Sequence, residues 1–279
     1  MSRYSRQIFF SNIGEMGQQK IRMGRVVIIG CGALGTVNAE MLVRAGIGQL
    51  KVVDRDYVEE NNLQRQSLFT EDDAREGLPK AIAAMQSLQN INTEVHLEAI
   101  VQDVTWENIG ALCEGSEIIV DGTDNFETRF LINDISVKRG TPWVYGACVG
   151  SYGVAFAFQP TRTPCLQCLL DQPPGVGSSD SCDTVGIVAP VVHAVAACQV
   201  THTLKLLVGE SPEPRFLQVD VWSSDWRTIE VGRAPNQTCS CCVERRFRFL
   251  EGKQKSRLTR LCGDNAVQVS PQRRTHVDF

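Results

Sequence analysis

The chain has 279 residues, 43% of them hydrophobic and 22% charged, enough apolar material for one large α/β domain with modest appendages or for two domains, and too much for disorder. Its formal net charge of −4 leaves no basic field to hold nucleic acid. Met1 to Phe10 is polar and lacks the apolar core of a signal peptide, and Ile187 to Val200 is interrupted by Pro190 and His193, so a cytoplasmic protein without membrane association is expected.

In chain order, Arg25 to Ile29 is a β-branched apolar run that ends in glycine and reads as a buried parallel strand. Ala33 to Ala45 carries Leu34, Val37, Met41 and Leu42 at helical spacing. Gln49 to Asp54 is a second strand, Asp56 to Gln66 a polar loop, and Pro79 opens a helix to about Asn90. Glu94 to Val101 and Glu117 to Val120 read as strands, and Phe126 to Arg139 as a helix. This alternation predicts a doubly wound, Rossmann-like parallel sheet. The pattern then changes. Trp143 to Cys148 and Tyr152 to Phe158 are strands joined tightly through Gly150, hence antiparallel, and they continue the sheet. Gln172 to Thr184, rich in Pro, Gly, Ser and Asp, reads as a mobile loop before a helix over Val188 to Val208. Phe216 to Ser223 and Trp226 to Val231 form a hairpin about Ser224-Asp225. From Val243 the chain turns basic and less apolar, which divides it into a main domain over 1–242 and an extension over 243–279.

Gly30-Cys31-Gly32-Ala33-Leu34-Gly35 is a GxGxxG motif between a strand and a helix. Glycines let backbone amides approach phosphates, and the helix N-terminus favours an anion. Asp54, at the next strand end, can accept hydrogen bonds from ribose. These features alone describe an NAD-dependent oxidoreductase equally well. The following segments separate the readings. Asp54-Arg-Asp56 leads to Asn62-Leu-Gln-Arg65-Gln66, then Pro79-Lys80, then Asp121-Gly-Thr-Asp124-Asn125. The C-terminal strand ends of such a sheet gather at one crevice, so Asn62, Arg65, Lys80 and Asp124 converge there. Arginine and lysine suit a triphosphate better than a nicotinamide, and Asp124 suits Mg2+, a hard cation wanting oxygen ligands.

With Arg3-Tyr-Ser-Arg6-Gln-Ile8, these motifs resemble those of the ThiF/MoeB/HesA adenylyltransferases, bacterial relatives of ubiquitin-activating enzymes, over roughly residues 3 to 242. The resemblance implies ATP on the glycine loop with Asp54 on the ribose. It places Asn62, Arg65 and Lys80 on the phosphates and Asp124 on Mg2+, with Asp56, Gln66 and Asn125 inside the same cofactor-binding motifs. It implies a homodimer in which Arg6 reaches the partner's ATP. The reaction expected is adenylation of the C-terminal Gly carboxylate of a ubiquitin-like sulfur-carrier protein (ThiS- or MoaD-like, ending Gly-Gly), with release of pyrophosphate. No general base is required, because that carboxylate is already ionised. A non-catalytic scaffold for a ubiquitin-like protein would not need Arg65, Lys80 and Asp124.

Eleven cysteines in a cytosolic chain point to metal or thiol chemistry before disulfides. Cys165-Leu-Gln-Cys168 and Cys239-Ser-Cys-Cys242 can close a structural Zn2+ site of four thiolates. The second pair is ambiguous because of Cys241, and family spacing favours Cys239 with Cys242. Cys148 and Cys198, in apolar runs, are expected in the core, and His96, His193, His202 and His276 form no metal motif. The resemblance places at Cys182, in the Pro/Gly/Ser-rich loop, a cysteine that joins an activated carrier or its sulfur covalently. A spare thiol is the open alternative, since adenylation needs no enzyme nucleophile. The basic tail is either solvated surface or a dock for an acidic carrier. Leu261 to Gln268 resembles a tail of some ThiF-type members, which tilts the expectation toward thiamine-thiazole over molybdopterin biosynthesis. No sulfurtransferase domain is appended, so a separate sulfur donor protein is expected.

Overall fold

The computed structural model describes residues 3–174, 185–232 and 235–252, and the backbone alone of 258–260 and 267–269. Five strands, Arg25–Ile29 (β1), Gln49–Val53 (β2), His96–Ile100 (β3), Ile118–Asp121 (β4) and Trp143–Val149 (β5), pair in parallel. Tyr152–Phe158 (β6), Arg215–Asp220 (β7) and Asp225–Glu230 (β8) add antiparallel, giving the order β3-β2-β1-β4-β5-β6-β7-β8. The helices are Ser5–Ile8 (α1), Gly14–Met23 (α2), Ala33–Ala45 (α3), Glu71–Glu76 (α4), Lys80–Ile91 (α5), Ile109–Leu112 (α6), Phe126–Arg139 (α7), Leu166–Leu169 (α8) and Ala189–Val208 (α9).

Alternate residues of each strand face opposite sides, and both sides are covered. Val26, Ile28, Leu50, Val52 and Val120 pack under α3 and α5 with Leu42, Ala84 and Leu88. Val27, Ile29, Ile119, Trp143 and Phe158 pack under α6 and α7 with Ile109, Phe130 and Ile135. That is why β1 is an uninterrupted apolar run. α9 lies on β5 and β6 beside α3, with Val191, Val192 and Val195 buried against Leu34, Val37 and Ala155.

The polar loop expected over Asp56 to Gln66 contains a 3-10 turn at Glu60–Asn62. It is clipped to the start of α5 by the Tyr57–Pro79 bridge and by Val58 N–H donating to Leu78 O at 2.9 Å. The hairpin turn sits earlier than expected: Asp220 pairs with Asp225, so Val221 to Ser224 forms the turn. Asp220 Oδ1 accepts from Ser151 Oγ (2.8 Å) and Trp222 N (3.0 Å), which ends the strand there. Cys148 and Cys198 are half-buried rather than core, because both stand at the rim of α9's packing face. Residues past 242 are not all peripheral: Phe249 is buried, with its ring centroid 4.7 Å from that of Phe130. Leu258–Arg260 and Val267–Val269 pair as a separate two-stranded ribbon.

Candidate functional site

The strand order reverses direction at β1 and β4, the switch point of a doubly wound sheet, where ligand crevices open at the carboxyl ends of the strands. The segment after β1 is the glycine loop and the segment after β4 is Asp121 to Asn125, and the two touch. A Cβ on Gly30 would lie 2.7 Å from Gly122 carbonyl carbon, one on Gly122 2.3 Å from Gly30 O, and one on Gly35 2.0 Å from Gly30 O. Gly30 also has φ +91°, a left-handed backbone that side chains resist. Gly32 caps α3, and a Cβ there would meet nothing within 4 Å. The floor of the crevice is therefore packed backbone, while the helix end faces open space that an anion can fill.

Asp54 fastens this loop. Its Oδ2 accepts from Cys31 N at 2.6 Å and its Oδ1 from Asp56 N at 2.7 Å. Burial raises its pKa, and the Lys80 cation opposes that rise. Lys80 is 8% exposed at the first position of α5, and among the described residues its Nζ has one polar partner, Asp56 Oδ2 at 3.4 Å. A buried ammonium with three donors and one long contact is suited to an incoming anion. Asn62 Oδ1 and Gln66 Oε1 are buried and find no partner among the described residues, again a mark of a group built for a ligand.

The structure brings Gly30 to Gly35, Asp54, Asp56, Lys80 and the Asp121 to Asn125 segment directly together. Arg65 is half-buried on the neighbouring turn, donating to Asn61 O at 2.8 Å. Asp124 is exposed at the crevice. Asn125 caps α7, accepting from Thr128 N at 2.8 Å. Arg6 is exposed on α1, which is tied to the far end of α3 through Gln7 Nε2 and Ala45 O (3.0 Å). α3 has 13 residues, about 20 Å, so Arg6 is not brought to its own crevice. Cys182 lies outside the described residues.

The reading from sequence missed the groups behind the Asp124 turn. Asp121 is fully buried and paired with buried Arg129 at 3.0 Å. Burial raises the Asp121 pKa against the pull of Arg129. Burial is the largest influence on Arg129 and acts to lower its pKa, but Asp121, Tyr145 and Asp124 together outweigh it and the net shift is upward. Arg129, Asn133 and Asp134 sit on the inward face of α7 among apolar residues, a signal the sequence does carry.

Cys165, Cys168, Cys239 and Cys242 place their sulfurs within 4.8 Å of one another, with neighbouring pairs at 3.4, 3.6 and 3.8 Å. Tetrahedral metal–sulfur bonds of about 2.3 Å impose a sulfur spacing of about 3.8 Å, so the four thiols fit a metal. Asn236 N–H donates to Cys168 Sγ at 3.4 Å. Cys241 lies beside Cys165 but outside the four, its Sγ 3.4 Å from Asp134 Oδ1 and 3.3 Å from Asn133 Nδ2. Asp134 Oδ2 accepts from Phe249 N at 3.0 Å, and burial pushes this carboxyl up to about 6.

The ThiF family model matches residues 4–241. The chain is 50% identical over 267 residues to a sulfur carrier protein ThiS adenylyltransferase of Bacillus subtilis (strain 168), covering 96% of this chain and 79% of that one. It is 37% identical over 242 residues to the Escherichia coli K12 protein of the same description, covering 86% and 94%. It is 35% identical over 246 residues to a SAMP-activating enzyme E1 of Haloferax volcanii, covering 88% and 89%. Among solved structures, E. coli MccB with ATP has the same fold, at a TM-score of 0.75 and 24% identity over 86% of this chain and 74% of that one. The chain belongs to the ThiF family of adenylyltransferases.

Proposed function

We propose that this protein uses ATP to adenylate the C-terminal Gly carboxylate of a ThiS-like, ubiquitin-like sulfur carrier, releasing pyrophosphate, in thiamine-thiazole synthesis. The observation that carries the reading is Lys80, a buried cation with one long contact, set beside a glycine loop whose helix end is open. The carrier carboxylate attacks the α-phosphorus and pyrophosphate leaves. Two anions must meet, so the work of the site is charge neutralisation and alignment. The amides of Gly32 to Gly35 hold phosphate oxygens, Lys80 and Arg65 balance their charge, and Asn62 Oδ1 and Gln66 Oε1 accept from a donor group of the bound ligand rather than from its phosphates. Asp54 keeps the loop in place while facing the ribose. Asp124 is the ligand for Mg2+, which when bound spreads the charge of the transferring and leaving phosphates.

Cys165, Cys168, Cys239 and Cys242 hold structural Zn2+, the divalent ion that prefers a closed tetrahedron of thiolates. The working unit is a homodimer in the cytoplasm, with Arg6 serving the partner's site and a separate protein supplying sulfur. Cys182 captures the activated carrier as a thioester, its thiolate attacking the acyl-adenylate carbonyl and displacing AMP.

The test is ATP–pyrophosphate exchange with and without a purified carrier ending in Gly-Gly. Exchange is expected only with the carrier, and Asp124→Ala is expected to lower it about a hundredfold or more. Exchange that ignores the carrier removes the proposed substrate, and near-normal exchange by folded Asp124→Ala removes the proposed site.

A further inference from the structure

Arg129 and Asp121 form a network whose bonds end on the turn that carries Asp124. Asp121 Oδ1 accepts from Thr123 N at 2.8 Å and from Thr123 Oγ1 at 2.7 Å. Arg129 Nε donates to Asp121 Oδ2 at 3.0 Å, and its Nη2 donates to Thr123 O at 2.7 Å and to Gly146 O at 3.0 Å. The guanidinium lies over the Phe126 ring at 5.4 Å and the Tyr145 ring at 5.1 Å, which fixes its plane. Gln199 Nε2 holds Asp121 O at 2.8 Å. Thr123 is thus bound at both its N–H and its C=O. A peptide unit is planar, so fixing the Thr123 carbonyl fixes where the Asp124 backbone begins. Gly122, packed on Gly30 O, keeps the same turn against the glycine loop.

A buried ion pair is a weak source of stability, since desolvating both charges offsets most of their attraction. Here the pair does something an apolar pair could not: its donors tie the Thr123 carbonyl of the turn to the Asp121 carboxylate at the end of β4 and to the Gly146 carbonyl of β5. We propose that Arg129 is a positioning residue for the nucleotide site, which with Asp121 holds the Thr123–Asp124 peptide so that Asp124 is presented ready for the cation that accompanies ATP. This rests on the reading of Asp124 as that cation's ligand. Groups that orient a metal's ligands typically change metal affinity about 10- to 100-fold when removed.

The test compares Arg129→Lys, which keeps the charge but loses the fork, with Asp124→Asn. The first readout is amide hydrogen exchange in the protein without nucleotide or metal. Faster exchange at Thr123 in Arg129→Lys, with thermal unfolding close to that of the parent, is the expected result. The second is ATP binding by calorimetry across a Mg2+ series, where Arg129→Lys is expected to raise the half-saturating Mg2+ about tenfold and to leave metal-free ATP binding unchanged. If Arg129→Lys does not fold, Thr123→Val, which removes only the Oγ1 donor to Asp121, is expected to give a smaller shift of the same sign. Unchanged Thr123 exchange and unchanged Mg2+ dependence in the folded variant, alongside a shift in Asp124→Asn, overturn the positioning role alone. An Asp124→Asn protein with parental Mg2+ dependence overturns the reading of Asp124 itself, and the positioning role with it.

Discussion

His202 stands on α9 with its Nδ1 buried and without a partner among the described residues. Burial, and then the Lys205 charge, lower its pKa to about 4. Unfolded, the imidazole takes a proton near pH 6.5, so between pH 6.5 and 4 the unfolded state binds more protons and the fold loses stability as pH falls. That window corresponds to about 3 kcal/mol. His202→Leu should remove this loss, seen as a flatter acid limb in urea unfolding between pH 7 and 4. A limb as steep as the parent's would show that the imidazole is solvated. Other site residues differ in how far the sequence announced them. Lys80 and Asp54 were legible because motif spacing and strand ends place them. Arg129 and Asp134 were missed although they fall among the apolar positions of α7, because a charge in a helix reads as solvated surface until the sheet beneath it is known, and Asp121 was missed because its place at the end of β4 shows no partner until α7 is packed on it.

Elements follow the same logic. The parallel strands and the long helices α3, α5 and α7 between them were legible from uninterrupted β-branched runs, helical spacing and Pro79, whereas α4 and α6, of six and four residues, are too short to show a period. α1 and α2 were not, since their residues are mostly polar and their order comes from tertiary anchors such as Tyr4, which fills the space beside Gly46. The cysteine knuckles join α7 and α8 to the segment that follows, and in them Cys241 contacts Asp134 while Cys242 contacts Cys168. Cys168→Ser or Cys242→Ser should release the metal and lower the unfolding temperature, because structural zinc contributes directly to folding. Cys241→Ser should keep one zinc per chain by elemental analysis. Zinc kept in Cys242→Ser and lost in Cys241→Ser would reverse the assignment. The expected boundary at 242 also shifts in meaning. Truncation after Cys242 removes buried Phe249 and the amides that serve Asp134, and should cost about 3–5 kcal/mol relative to truncation after Gly252. Equal denaturant midpoints for the two truncations would contradict this.

The whole molecule separates Arg6 from its own crevice by the length of α3. If Arg6 works at ATP, it works in a second copy. Arg6→Ala and Asp124→Ala should each be inactive, and mixed dimers should recover up to about a quarter of the exchange activity, as expected when random pairing leaves half of the dimers mixed with one intact site each. No recovery after demonstrated subunit exchange would exclude a composite site. α9 bears on the molecule in another way. Among the described residues it is the one helix long and apolar enough to cross a bilayer, yet it lies packed on β5, β6 and α3. Those elements, with α2 and β4, precede it in the chain, and β7, which packs on it through Val219, follows. During vectorial synthesis most of its receiving surface, all but β7, has therefore left the ribosome before the helix does, and a segment that a translocon could accept finds its main packing partners already made. Direction of translation is part of what protects this fold. A circular permutant opening at Ala189 would deliver the helix first, with nothing yet made to receive it.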